Sequence, residues 1–234
     1  NPRIGVITLS TDFTIEQDFR KICHGLNLDL FFNRIPFSNP LNHENYVKMA
    51  KNIPEITEQI LPNQTIDVIA YGCTSGTIAV GENYITDQVH KKKPKALVTT
   101  PITAALKAFN ELNFKKIAVL TPYPKEVNLT VFNYLKKNNI EIDSFSSFNL
   151  DYDSEIAQVS LESLLEEIAK INLNNVDGLF VSCTALKIVE ILEKVEKKLK
   201  TTVVSSNQAI IWDCLRLANI KTNIKGYGKL FEMQ

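Results

Sequence analysis

Two cysteines stand in nearly the same phrase at two places in the chain. Cys73 lies in Asp67-Val68-Ile69-Ala70-Tyr71-Gly72-Cys73-Thr74-Ser75-Gly76, and Cys183 in Asp177-Gly178-Leu179-Phe180-Val181-Ser182-Cys183-Thr184-Ala185-Leu186. In each, an apolar run ends in a small residue and then a cysteine among hydroxyl residues. The pattern reads as a buried parallel strand, a tight turn and a helix starting behind it. Thr74 and Ser75 are N-cap types, which places the Cys73 sulfur near the positive end of the next helix. A thiol so placed is expected to ionise more readily than a free one, and the thiolate is the reactive form. Two opposed thiols suit removal of a proton from one face of a carbon and its delivery to the other. They equally suit addition of one thiolate to an activated double bond while the second thiol protonates. Negative charge then builds on a carboxylate or carbonyl. The hydroxyls of Thr74, Ser75 and Thr184, the Tyr123 phenol and backbone N–H groups at helix starts are available to hold it.

These residues need a scaffold. The 234 residues suffice for one large domain or two small ones, and 44% hydrophobic with 22% charged residues is an ordinary globular balance. A formal charge of +0, with no like-charge run longer than Lys91-Lys92-Lys93, argues against nucleic acid or an anionic membrane as partner. No apolar run approaches transmembrane length and Asn1 leads directly into a strand without a signal peptide, so a cytoplasmic, reduced setting is expected. Four cysteines (Cys23, Cys73, Cys183, Cys214) form no CxxC pair, and His24, His43 and His90 show no ligand spacing; no metal site is expected. Without a GxGxxG or P-loop, no nucleotide cofactor is implied, and none of another kind is expected. Cys23 and Cys214 sit on apolar helical faces and read as core.

In order, strands are expected at Arg3–Leu9, Asp29–Ile35, Ile66–Tyr71 and Ala96–Val98. Helices are expected at Thr14–Leu26, His43–Leu61 (kinked by Pro54), Gly76–Lys91 and Ile102–Leu112 behind Pro101. The order then restarts: strands Lys116–Leu120, Ile140–Phe148, Val176–Val181 and Thr202–Val204, with helices Glu126–Asn138, Ser154–Lys170, Leu186–Leu199 and Gln208–Leu217. Cys183 follows Cys73 by 110 residues, and Val203-Val204-Ser205-Ser206 follows Leu97-Val98-Thr99-Thr100 by 106. This is a duplicated α/β unit: two pseudo-symmetric, doubly wound lobes, each with a four-stranded parallel sheet. The first lobe spans 1–113, with 208–234 packing back on it, and the second spans 114–207. Ligands in such sheets bind beyond the carboxyl ends of the strands, where both cysteines fall, so the site is expected in the cleft between the lobes.

The GCTSG and SCTAL motifs, the LTPY turn and the VVSSNQAIIW segment resemble the aspartate/glutamate racemase superfamily. Within it they resemble the branch of maleate cis-trans isomerase, arylmalonate decarboxylase and the ectoine-utilisation (EutA) proteins. The likeness covers nearly the whole chain. It implies no cofactor, Cys73 and Cys183 as catalytic pair, and Thr74, Ser75, Tyr123 and the Thr184 turn as a carboxylate cradle. Homo-oligomers are common in such families. Arylmalonate decarboxylase has Gly at the position of Cys73, which weakens a lyase reading. Maleate isomerase has Asn in its first turn, where this chain has Asp12 in Ser10-Thr11-Asp12, and a second Asn near Asp153. A carboxylate there repels a dicarboxylate and suits a cationic or amidine group. Together with the STDFTxExDF opening, this points to an EutA-like isomerase or racemase on a zwitterionic substrate with one carboxylate. Asp12 is equally read as an N-cap. Maleate isomerisation, decarboxylation and ligand binding without catalysis stay open as alternatives.

Overall fold

The computed structural model describes residues 1–233. Two sheets form, each of four parallel strands. The first holds β1 (Arg3–Leu9), β2 (Asp29–Ile35), β3 (Val68–Gly72) and β4 (Leu97–Thr99) in the order β2-β1-β3-β4. The second holds β5 (Lys116–Thr121), β6 (Glu141–Ser147), β7 (Gly178–Val181) and β8 (Thr202–Ser205) in the order β6-β5-β7-β8. The two orders are the same order, as a duplicated unit demands. Of the central strands, β3 and β7 are buried along their whole length, which is why they read as continuous apolar runs without alternation.

In each sheet the strand order reverses between the two central strands, which opens a crevice at their carboxyl ends. In the first sheet the crevice lies between the ends of β1 and β3, so Thr11, Asp12 and Cys73 rim it. In the second it lies between β5 and β7, rimmed by Tyr123 and Cys183. The first lobe's helices are α1 (Ile15–Ile22), α2 (His43–Ala50), α3 (Ile53–Glu58), α4 (Thr74–Val80), α5 (Glu82–His90) and α6 (Pro101–Glu111). After β5 come α7 (Lys125–Lys137), α8 (Asp153–Ile156), α9 (Leu161–Lys170), α10 (Leu192–Leu199) and α11 (Ser206–Leu217).

Three expected long helices are broken. Pro54 opens α3 near its first turn rather than kinking one helix, because its missing N–H is tolerated only there. Gly81, at φ 88°, ends α4 and starts α5. Residues 157–160 part α8 from α9, whose start Ser160 caps through the Ser163 N–H. The expected helix Leu186–Leu199 is also absent in its first part: a turn after β7 leads to one 3-10 turn at Val189–Ile191 and only then to α10.

The sheets are locked by the helices that close each repeat. Both α6 and α11 begin with a capping box, at Thr100/Thr103 and Ser205/Gln208, and the two helices pack on each other. From α6, Phe109 sets its ring edge to face with Phe180 of β7 at 5.3 Å. In the other direction α11 packs on α1, β3 and β4 of the first sheet. Its Asp213 accepts from Thr99 (2.6 Å) and from Lys107 (2.7 Å). No helix among the described residues is long and apolar enough to cross a membrane.

Candidate active site

The two cysteine turns meet. The Thr184 hydroxyl, next to Cys183, reaches the carbonyl of Gly72, next to Cys73, at 3.4 Å. Ser206, at the start of α11, touches both turns: its Oγ accepts the Cys183 N–H at 3.0 Å and lies 2.9 Å from Thr74 Oγ1. Two phenols, of Tyr46 and Tyr123, feel the charge of both sulfurs. Sequence reasoning assigned neither Tyr46 nor Ser206 to the site. Tyr46 hides in a helix with no motif around it. Ser206 could have been found from the repeat, since it sits where the chain leaves β8.

The turns differ in construction. Cys73 is the N-cap of α4, in extended conformation, and its Sγ accepts the Gly76 N–H at 3.3 Å. An ideal Cβ on Gly76 would lie only 2.8 Å from that sulfur, so the approach requires glycine. Cys183 has φ 110°, a conformation non-glycine residues rarely adopt, and no helix follows it. Its turn is held from outside. Thr184 donates to Asp12 (2.7 Å), Thr14 donates to the Ala185 carbonyl (3.0 Å), and Asn207 donates to the Thr184 carbonyl (2.8 Å).

Neither thiol is poised as a thiolate, contrary to the expectation from helix position. Burial, with Cys73 at 4% and Cys183 at 7% exposure, outweighs a short helix's dipole. Burial pushes the Cys73 thiol up to about 12, against the hydrogen bond from the Gly76 N–H that pulls it down. Cys183 is driven well above its usual value by burial and then by the Asp153 charge, with Ala185 N–H and Tyr123 opposing. Both phenols are likewise raised by burial and stay protonated donors.

Two buried carboxyls, Asp153 and Asp12, flank the pair, and a third, Asp18, lies behind the Cys183 turn. Asp153, 5% exposed, is pushed by burial up to about 6; Thr11 donates to its Oδ2, and its own N–H donates to Asn39 Oδ1 at 2.9 Å. No hydrogen bond from the described residues reaches Asp153 Oδ1. Asp12 is raised by burial, and both its oxygens are engaged, Oδ1 by the Thr14 and Ile15 N–H groups and Oδ2 by Thr184. Asp18 is raised by burial to about 7 and accepts from Asn207. Among the described residues no cluster of His, Cys, Asp and Glu has a metal-binding arrangement.

Residues 38–231 match the arylmalonate decarboxylase family (Amdase). The chain belongs to that family. Maleate isomerase of Alcaligenes faecalis is 21% identical over 97% of this chain and 95% of its own length. Arylmalonate decarboxylase of Bordetella bronchiseptica is 28% identical over 57% of each chain. In structure, Nocardia farcinica maleate cis-trans isomerase bound to TRIS superposes with a TM-score of 0.91 at 20% identity, covering 99% of this chain and 98% of that one. A cysteine-to-serine variant of the same isomerase, with a covalently bound succinylcysteine intermediate, gives 0.92 at 19% identity over 100% and 99%. Family membership and relatives that match along nearly the whole chain support an enzyme.

Cys73, Thr74, Cys183, Thr184, Tyr123, Asp12 and Asp153 come together around the two turns. Ser75 is there too, but its hydroxyl donates to Tyr46 (2.9 Å). Asp12 acts chiefly as the cap of α1, since its free oxygens are spent on backbone N–H groups and Thr184. Ser10 stays outside: it is exposed, and its hydroxyl accepts from the Phe37 N–H at 3.4 Å. Cys23 and Cys214 are buried core, as expected.

Proposed function

We propose that this protein is a cofactor-independent isomerase or racemase in which Cys73 and Cys183 act from the two lobes on one small carboxylate substrate. The observation that carries the reading is the direct joining of the two cysteine turns, through Thr184 to Gly72 and through Ser206 to Thr74. In the proton-transfer form, the Cys73 thiolate removes the proton beside the carboxylate, and the Cys183 thiol delivers its own to the opposite face; the sulfurs exchange protonation states. Cys73 is taken as the base because the Gly76 N–H, 3.3 Å from its sulfur, is in place to steady its thiolate, while the Asp153 charge raises both thiols. The Tyr46 and Tyr123 phenols and the N–H groups at the start of α4 are the donors for the enolate charge.

The free Asp153 oxygen and the raised thiols favour a substrate with one positive group, of the amino-acid or cyclic-amidine kind met in ectoine and hydroxyectoine breakdown. A cation bound beside Asp153 offsets the charge that adds to burial in raising both thiols, so that substrate binding itself lowers them. Maleate cis-trans isomerisation is the second reading, favoured by full-length relatives of that activity. Turnover of hydroxyectoine and of maleate, followed by circular dichroism and deuterium incorporation, decides between them. Rapid maleate isomerisation with no response to the cyclic amidine removes the cationic substrate. Cys73→Ala should abolish a two-thiol isomerase, whereas a decarboxylase relying on Cys183 alone would keep its activity. A ligand-binding module would bind substrate and turn over neither.

A further inference from the structure

The Cys183 turn is tied to a carboxylate that faces away from the cysteine pair. Asp18, on α1, is 4% exposed and lines a cleft of about 430 Å3 whose walls include Phe13, Thr14, Lys21, Lys187 and Glu190. Its Oδ2 accepts from Asn207 Nδ2 at 2.7 Å, and the same Nδ2 donates to the Thr184 carbonyl at 2.8 Å. Asn207 is itself 1% exposed, and its Oδ1 has no partner, so nothing but these two acceptors orients the amide. Cys183 meanwhile holds φ 110° without the help of a glycine or a helix. Such a backbone persists only where its surroundings over-determine it.

We propose that Asp18 and Asn207 are positioning residues for Cys183: Asp18 fixes the Asn207 amide, whose second hydrogen bond clamps the Thr184 carbonyl and holds the thiol toward Cys73. This rests on Cys183 being one of the working pair, but the clamp can be tested without any substrate. A carboxylate grips an amide N–H more strongly than a neutral carboxyl does. The clamp therefore tightens as Asp18 ionises near pH 7 and loosens below it. The charged groups around Asp18 are Asp12 before α1, Lys21 on α1 and Glu190 from the second lobe, with Lys187 on the same cleft. Lys21 is already paired to Glu190, so the Asn207 amide is the group left to answer the carboxylate.

The experiment is alkylation by iodoacetamide from pH 5.5 to 8.5, read at each cysteine by peptide mass spectrometry, with Cys73 as internal reference. Both thiols ionise far above this range, so their ratio cancels the ordinary rise of thiolate with pH. The Asp153 charge acts on both sulfurs and leaves an inflection near 6. The clamp adds a second, near 7: the Cys183-to-Cys73 ratio should be about fivefold higher below it than above, the difference between a neutral and a charge-assisted hydrogen bond. Asp18→Asn, which keeps an acceptor without the charge, should hold the ratio at its high value throughout. Asn207→Ala should raise it further. With substrate, both variants should lower kcat and leave KM nearly unchanged. A ratio without the inflection near 7 in the parent protein, or the same inflection in Asp18→Asn, overturns the clamp. If the ratio behaves as described but Cys183→Ala still turns over, the clamp stands and the two-thiol reading fails.

Discussion

Replacing Ser206 by alanine tests whether the two cysteine turns are one rigid unit. The Ser206 side chain is fully buried, and its hydroxyl serves the Cys183 N–H at 3.0 Å and Thr74 Oγ1 at 2.9 Å. Without it, a buried N–H loses its acceptor, at about 1–3 kcal/mol, and the Thr74 hydroxyl loses a bond worth about 1 kcal/mol. The sum, roughly 2–4 kcal/mol, corresponds to a fall in Tm of roughly 5–15 °C for a chain of this size. Activity should suffer more than stability. A displacement of about 1 Å between reacting groups costs on the order of 100-fold in rate, and kcat should drop by that order in the surviving folded protein. Calorimetry gives the first quantity and turnover well below Tm the second. The matched control is Ser10→Ala: that side chain is exposed, and its change should stay within about 0.5 kcal/mol. A Ser206→Ala protein that melts within a degree of the parent and keeps its turnover would refute the coupling of the turns, since a buried orphan N–H cannot be free of cost.

Other perturbations read single features of the site. Gly76→Ala places a methyl group 2.8 Å from Cys73 Sγ and 3.0 Å from Met49 Cε; it should cost about 1–3 kcal/mol and change the alkylation rate of Cys73 much more than that of Cys183. Asp153→Asn removes a like charge from both sulfurs and should speed their alkylation at pH 8, tenfold for each unit by which the thiol pKa falls. Asp18, raised from 3.8 to about 7, gives the folded state a proton that the unfolded chain lacks in between. Its contribution to stability is therefore complete below pH 4 and lost as pH rises through 7, on the order of 4 kcal/mol, and Asp18→Asn should flatten that slope in Tm.

The architecture was legible because burial on two faces leaves a mark that needs no tertiary knowledge. Val68-Ile69-Ala70-Tyr71 and Leu179-Phe180-Val181 are apolar without alternation, and helical periods between strands fix a parallel order. Helix interruptions were less legible. Gly81 lies in a stretch whose apolar period continues across it, and the turn at 157–160 carries no Gly or Pro. What the sequence hid most completely was the second cysteine's backbone. Cys73-Thr74-Ser75 and Cys183-Thr184-Ala185 look like the same device, yet the first caps a helix and the second is propped by Asp12, Thr14 and Asn207. Those props come from residues 23 to 172 positions away, beyond the reach of any local pattern.

Burial reverses, for both thiols alike, the sign that position at a helix start suggests. A helix terminus lowers a pKa through a field that water does not screen only if the site is dry, and drying the site raises the pKa by more than a seven-residue helix returns. With Asp12 and Asp153 sealed in beside the sulfurs, their charges add to burial in keeping both thiols protonated at rest. The anions earn their place only if something positive arrives. Under the proposed reaction that something is the substrate's cationic group, since a dicarboxylate entering the same space would add to the negative charge that reinforces burial in raising Cys73 and Cys183. Choice of substrate and activation of the nucleophile are then one electrostatic event, and Asp153, with its single unoccupied oxygen, is the residue on which both turn.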